Sequence, residues 1–551
     1  MTRKFNSYIA LLLAVLALSV SAPAFPAESN QAAASATVAP LSMSPAHTPA
    51  AATGAKADAP APAPVALPSG GTAADRISDR ALASEAAGSA AQLRIALNLA
   101  WTLICGFLVM FLQAGFAMVE TGFCRAKNAS HTMAMNLMIY CIGLLAYWVC
   151  GYALQTGGLG GFPTLGGGSG LNCEVTVHLF GKAFGLFGAK GFFLGGPSLD
   201  PAVCVAFLFQ AVFMNTAATI PTGAMTERLK FSAFVAYGFF MCGLLYPLFA
   251  NWVWGGGWLS QLGANFNLGH GFVDFAGSSV VHLTGGVVAL AGAKVLGPRL
   301  GKFNKDGSPN PIPGHHIPMA IVGTLILAFG WFGFTAGSTL AASDLRIGVV
   351  AVNTMLASAA GGFVAMLFMW VKYGKPDLTM SANGLLAGLV AVTAPCAFVT
   401  PFASVVIGSA AGVLCCISII FVERTLRVDD PVGAISVHGL GGAWGAVALG
   451  LFADGSYGGG LNGVKGNVRG LFYGDGGQLA AQCVGVAIDV IFVFFAAYLF
   501  FRLLDRFIGM RVASDVEREG LDQHEIAVAA YPEFNLRQLP FGSGITPRPR
   551  Q

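Results

Sequence analysis

The sequence predicts an all-α integral membrane protein with eleven spans, and three observations carry that reading. Charged residues make up 10% of the chain and hydrophobic residues 55%, whereas a soluble globular domain carries about 25% charged residues. Apolar runs near the ~20 residues that a spanning helix needs recur along the chain. A local pattern, Val-His-x-x-Gly-Gly, occurs once in each half, at 281–286 and 437–442. Paired patterns of this kind suit a transporter built from two related halves, with its site where they meet.

Taken in order, residues 1–24 read as a secretory signal peptide. Arg3 and Lys4 form its n-region, 8–20 the apolar h-region, and Ala22-Pro23-Ala24 an A-x-A site, with an uncleaved anchor as the alternative. Residues 25–90 are rich in Ala, Pro and Ser, cannot form a core, and are expected to be a disordered extracytoplasmic tail. The transmembrane domain is expected over 91–507, with spans at about 95–118, 131–154, 200–221, 231–253, 276–297, 317–338, 346–371, 381–398, 401–422, 434–453 and 478–504. The 73 glycines fit closely packed membrane helices. The long Gly-rich loop at 155–199 contains Val175-Thr-Val-His-Leu-Phe-Gly181, a candidate for short structure.

Lys/Arg bias sets the orientation. With the mature N-terminus outside, the inner connections hold Arg125, Lys127, Arg228, Lys230, Lys294, Arg299, Lys302, Lys305, Lys372, Lys375, Arg424 and Arg427, and Arg502, Arg506 and Arg511 flank the last span. The outer connections hold Lys182, Lys190, Arg346, Lys465 and Arg469. The C-terminus then lies inside, as a tail over 508–551.

The composition also excludes functions. A formal charge of +4 gives no case for nucleic acid. The cysteines lie scattered in apolar runs, with Cys173 in the long loop, and show no metal-ligand or disulfide spacing. There is no Walker A loop, G-x-S-x-G elbow or HExxH, so neither an ATP-driven pump nor an enzyme is expected, and no cofactor.

His282 and His438 are the candidate site. An imidazole within an apolar span needs a partner or a cavity, and by default it marks function; each alone could equally bond a neighbouring hydroxyl or carbonyl. Asp274 opens the fifth span and is expected chiefly to cap free N–H groups, while its charge favours cations near the outer mouth. Trp252, Trp254 and Trp258 surround three glycines, where an interface belt is the plain reading. Phe209 and Phe213 share one helix face, usually a packing arrangement. Phe334 and Ser338 lie in Gly330-Trp-Phe-Gly-Phe-Thr-Ala-Gly-Ser338.

Together these motifs resemble the ammonium transporter family, in the Amt branch of Amt/Mep/Rh, over about residues 95–525. The carriers are Asp274-Phe-Ala-Gly with His282, Trp254-Gly-Gly-Gly, Phe209-Gln-x-x-Phe213, the Gly330–Ser338 motif, Arg427-Val-Asp-Asp-Pro431 with Val437-His438-Gly, and Glu517-Arg-Glu-Gly-Leu-Asp522. The resemblance implies two inverted five-helix repeats plus a last helix, and a homotrimer with one pore per subunit. It implies that ammonium is recruited at Phe213, Trp254 and Ser338, that Phe213 and Phe334, with Phe209 beside them, form a gate, and that His282 and His438 relay protons in a hydrophobic pore conducting ammonia, with or without the proton. It also implies a PII-type signalling protein on the cytoplasmic tail and a role in nitrogen uptake at the bacterial inner membrane. Trp254 favours the Amt over the Rh branch. Thr335 departs from a frequent Asn, Gly433 from a frequent acidic residue, and the tail's Leu521-Asp-Gln-His-Glu-Ile526 from the usual ending. The rival readings are an ammonium sensor, which usually carries a fused signalling domain, and a channel for another small neutral solute such as carbon dioxide or water.

Overall fold

A computed structural model describes residues 73–157, 162–167, 174–458 and 466–533. The expected signal peptide, most of the expected tail, Cys173 and Lys465 lie outside the described residues. The described residues from Asp75 onward form one compact unit.

Among the described residues, ten helices are long and apolar enough to cross a membrane. They are α1 (Ala73–Phe123), α2 (Ala126–Thr156), α3 (Pro201–Met225), α4 (Phe231–Trp254), α5 (Ser278–Leu296), α6 (Ile317–Thr339), α7 (Ile347–Tyr373), α9 (Pro401–Arg424), α10 (Ile435–Phe452) and α11 (Gly476–Phe507). The expected eighth span is α8 (Leu378–Thr393), 16 residues long and below that length. It stops short where Ala394–Phe398 winds into turns around Pro395, which has no N–H to donate and whose ring crowds the carbonyl four residues before it. The structure also corrects the upstream boundary. Helix α1 begins at Ala73, inside the stretch expected to be disordered to 90, because 73–87 is Pro-free and rich in alanine, the strongest helix former.

Helix starts follow from their sequence. Asp200, Asp377, Thr400 and Asp475 each accept hydrogen bonds from N–H groups of the turn that follows, and Pro201 and Pro401 fill the first position, where no N–H is needed. Helices α3 and α5 are 83% buried over their most apolar windows and α7 and α11 only 28%, so the former pair is central and the latter peripheral.

One feature lies outside the all-α expectation. Strands β1 (Glu174–Leu179) and β2 (Lys182–Gly188) pair antiparallel across a two-residue turn, Phe180-Gly181, at φ 53° and 71°. Positive φ at both turn positions suits the right-handed strand twist. Trp252 Nε1 donates to Leu186 O at 2.9 Å, and the Trp258 backbone N–H donates to Gly185 O at 3.1 Å. These two tryptophans therefore pin the hairpin to the end of α4, a role the interface-belt reading did not include.

The connections that charge bias puts on one side meet on one face. Arg299 donates to both oxygens of Asp429, at 2.9 Å each, and to Glu227 at 2.7 Å. Arg125 pairs with the same Glu227, and Arg228 donates to the carbonyls of Gly297 and Asp429. Burial alone would raise the Asp429 pKa, but Arg228 and Arg299 outweigh it and hold the carboxyl below the ordinary range. The tail docks here through α12 (Ser514–Glu519). Glu517 accepts from Arg511 at 2.7 Å and from the Leu300 N–H at 2.7 Å, and Asp522 accepts from the His131 N–H at 2.9 Å.

Candidate functional site

The two Val-His-x-x-Gly-Gly stretches fold alike. Each histidine sits in a π-helical opening turn, Ser278–Leu283 of the α5 segment and Ile435–Leu440 of the α10 segment; such turns often mark functional positions. Asp274 caps the first. Its carboxylate accepts from the N–H groups of Gly277 and Ser278 on one oxygen, and of Ser279 and Val280 on the other, at 2.8–2.9 Å. The side chain is 1% exposed, so the capping role dominates the direct cation contact. Asp430 caps the second turn, accepting from Gly433 N at 3.1 Å and Ile435 N at 2.7 Å. Both aspartates precede their histidine by eight residues (274 to 282, 430 to 438). That repeat was present in the sequence and would have been found by aligning the halves beyond the histidines.

Glycines bring the two turns together. A Cβ on Gly286 would lie 2.2 Å from Gly439 N, and one on Gly442 would lie 2.3 Å from Ser278 O. Each is the fourth residue after its histidine, so each half's histidine helix crosses the other at a position where only hydrogen fits. The crossing puts His282 Nδ1 3.1 Å from His438 Nδ1, with both rings buried. His282 stacks on Trp331 at 5.0 Å between centroids, and Trp331 Nε1 is held by Thr393 Oγ1 at 2.9 Å. Phe116 lies 5.9 Å from His438. His282 Nε2 is buried with no protein partner among the described residues.

A shared Nδ1–Nδ1 bond constrains the tautomers. In the neutral pair one ring donates at Nδ1 and keeps a basic Nε2, while the other accepts at Nδ1 and carries its proton on Nε2. The pair thus offers one acceptor and one donor, and can take up a proton without rearranging its backbone.

An aromatic stack lies beside the pair. Phe213 stacks on Phe334 at 4.0 Å and 19°, Phe209 is 4.6 Å from Phe213, and Phe334 is 5.5 Å from His282. Trp254 meets Phe213 edge-on at 6.1 Å, fixed by a 2.7 Å bond from its Nε1 to Asp274 O. The Ser338 hydroxyl donates to Phe334 O at 2.8 Å, which leaves its oxygen lone pairs to accept. His282, His438, Asp274, Phe209, Phe213, Trp254, Phe334 and Ser338 therefore lie in one connected neighbourhood, while Trp252 and Trp258 hold the hairpin.

Sequence reasoning missed two buried carboxylates beside it. Asp489 of α11 accepts from Ser279 Oγ at 2.5 Å and Thr284 Oγ1 at 3.2 Å, tying the π-turn of His282 to the last helix. Glu120 of α1 accepts from Asn136 Nδ2 at 2.7 Å and Thr222 Oγ1 at 2.9 Å. A carboxylate within an apolar span was the available signal for both; Glu120 fell just past the first span as drawn, and Asp489 lay unremarked inside the last.

A model described as the Ammonium Transporter Family matches residues 100–531. The chain is 46% identical over 437 residues to ammonium transporter Amt2 of Archaeoglobus fulgidus, covering 79% of this chain and 88% of that one. It is 37% identical to ammonium transporter Amt1 of Haloferax mediterranei, over 79% and 80% of the two chains. Among solved structures it is similar to a protein described as Sensor Amt Protein, at 35% identity and TM-score 0.68, covering 78% of this chain and 98% of that one. Mep2 of Candida albicans follows at 27% identity and TM-score 0.64, over 76% and 87%.

Proposed function

Since this chain belongs to the ammonium transporter family, in its Amt branch, we infer that it is a membrane transporter, not an enzyme, and that it moves ammonium through a pore holding two histidines beneath an aromatic gate. The observation that carries the reading is the 3.1 Å contact between His282 and His438 next to the Phe213–Phe334 stack. Ammonium and potassium are similar in size and charge, so a filter must use hydrogen bonding or proton loss. An aromatic face attracts either cation by about 0.5–2 kcal/mol; a hydroxyl oxygen on Ser338 adds a directional acceptor for N–H. Past the gate, an intact ion loses hydration worth several kcal/mol at least, while neutral ammonia avoids most of that loss. Imidazoles, with an ordinary pKa near 6.5, suit the proton exchange this requires.

In this reading Phe213, Trp254 and Ser338 recruit the cation, Phe213 and Phe334 with Phe209 gate it, and His282 and His438 relay the proton. Asp274 holds the π-turn of His282. The spans are eleven, α8 crossing with the turns that follow it, arranged as two inverted five-helix repeats plus α11, with the N-terminus outside and the C-terminus inside. Residues 1–24 are a signal peptide, 25–72 an extracytoplasmic tail, and the protein is a homotrimer of the bacterial inner membrane that serves nitrogen uptake. Methylammonium uptake that ammonium competes and potassium leaves alone is the deciding measurement. Absent uptake, or equal competition by potassium, returns the chain to a sensor or a channel for a neutral solute.

Trp254→Leu tests the outer site. Loss of the cation–π attraction should weaken apparent ammonium affinity by about 2- to 30-fold while assembly persists. Unchanged concentration dependence and unchanged inhibition by competing amines would make Trp254 a packing residue only.

The tail is the proposed contact for a PII-type signalling protein that plugs the pore. The bonds of Arg511 to the carbonyls of Leu296 and Pro298, and those of Glu517 and Asp522 to the α5–α6 and α2 regions, support a coupling role. Ending the chain after Arg511 removes Glu517 and Asp522, so nitrogen-dependent shut-off should disappear and uptake should fall. Wild-type uptake with normal shut-off in the truncation would rule the role out.

A further inference from the structure

A small cavity of about 20 Å³ lies beside the histidine pair, lined by Phe116, Glu120, Leu327, Asn383, Val432 and His438. It is on the side away from the gate, since Leu327 stands seven residues, two helical turns, before Phe334 on α6. Its volume suits a single water, and Glu120, Asn383 and His438 supply the polar partners such a water needs. Glu120 is 2% exposed, and among the described residues no cation pairs with it; its oxygens accept from Asn136, Thr222 and the Gly223 backbone N–H. A carboxylate has about four acceptor sites, so capacity remains for the water. Gly223 lets α3 pack closely on this carboxylate, since a Cβ there would lie 3.1 Å from Glu120 Oε1 and 2.5 Å from Val432 Cγ2.

We propose that Glu120 is the proton acceptor of the pore on the far side of the histidine pair, receiving through one water the proton that ammonium gives up. The inference rests on the relay reading of His282 and His438. Ammonium transfers one proton to the neutral pair and continues as ammonia. The N–H bond of the resulting imidazolium breaks toward the water, and a proton of that water passes to the Glu120 carboxylate. The pair returns to neutral and the carboxyl becomes neutral. Glu120 then loses its proton to the aqueous side, where ammonia takes up one again, so each cycle carries one positive charge across.

A purely structural Glu120, bridging α1 to Asn136 of α2 and Thr222 of α3, would make no such contribution. The test is the full chain in proteoliposomes, reading ammonium-evoked current and lumenal pH for wild type, Glu120→Gln, Glu120→Asp and His282→Ala. Glutamine keeps the shape and the hydrogen-bonding reach but cannot take the proton. Glu120→Gln should lower the current and the lumenal pH change at least about tenfold in monodisperse protein that still excludes potassium. Glu120→Asp, which keeps the carboxyl, should restore most of both. Wild-type current in Glu120→Gln overturns the proposal, as does equal loss in the two Glu120 variants. If His282→Ala abolishes current while Glu120→Gln does not, the histidine relay stands and Glu120 alone is excluded. Wild-type current in His282→Ala removes the relay and the proposal with it.

Discussion

Replacing His282 with aspartate is expected to let potassium through a pore that, in the proposed mechanism, excludes it in the wild type. The argument starts from the 3.1 Å Nδ1–Nδ1 contact, which two imidazolium rings could not share. At an effective dielectric of about 20, two unit charges 4 Å apart cost roughly 4 kcal/mol, so the pair is neutral or carries one proton. Such a pair accepts a proton yet offers nothing to offset the dehydration of an intact cation. A carboxylate at the same depth supplies that offset, and an ion then need not shed a proton to pass. His282→Asp and the matching His438→Asp should both conduct potassium in proteoliposomes. His282→Ala removes the proposed relay without adding charge, so ammonium flux should fall at least about tenfold with potassium still excluded. Normal ammonium flux and intact potassium exclusion in both aspartate variants would make the histidines structural and move the filter elsewhere.

How much of this was legible in sequence depends on the kind of signal each residue carries. Span positions were legible because apolar length is a local property; α5 and α10 fall within a few residues of the expected 276–297 and 434–453. Asp274 was legible as a cap because capping is also local. The facing of side chains was not. A helix in lipid is apolar on its outer and inner faces alike, so periodicity cannot tell Phe116, which packs on His438, from Phe107 or Phe111 on the exposed side of the same helix. Contacts between distant segments were equally hidden. Asp489 meets Ser279 across 210 positions, and Arg299 gathers Glu227 and Asp429 from two other connections. The short α8 was drawn too long because the apolar run continues through the turns after Thr393, and hydropathy does not register a break in the helix.

Gly286→Ala should abolish transport although alanine is the better helix former by about 1 kcal/mol. The new Cβ would sit 2.2 Å from Gly439 N and 2.4 Å from its Cα, against an ordinary contact near 3.5–4.0 Å. Both obstructing atoms are backbone, so no rotamer change relieves the clash and the α5 and α10 helices must part by roughly 1 Å or more. That movement takes the histidine pair from 3.1 Å to beyond hydrogen-bond reach and opens the crossing on which the pore is built. Overpacking of this kind costs about 1–3 kcal/mol, so the protein should still be recovered, with lowered thermal stability. Gly442→Ala should behave alike, since its Cβ would meet Ser278 O at 2.3 Å and Leu283 N at 2.7 Å from the other direction. The control lies at the same crossing. A Cβ on Gly439 would find its nearest atom, Gly286 C, at 3.6 Å, an ordinary contact, so Gly439→Ala should transport ammonium normally. If Gly439→Ala fails as badly as Gly286→Ala, the helices do not cross as described; if Gly286→Ala transports at the wild-type rate, close approach of the two histidine helices is not what sets the relay.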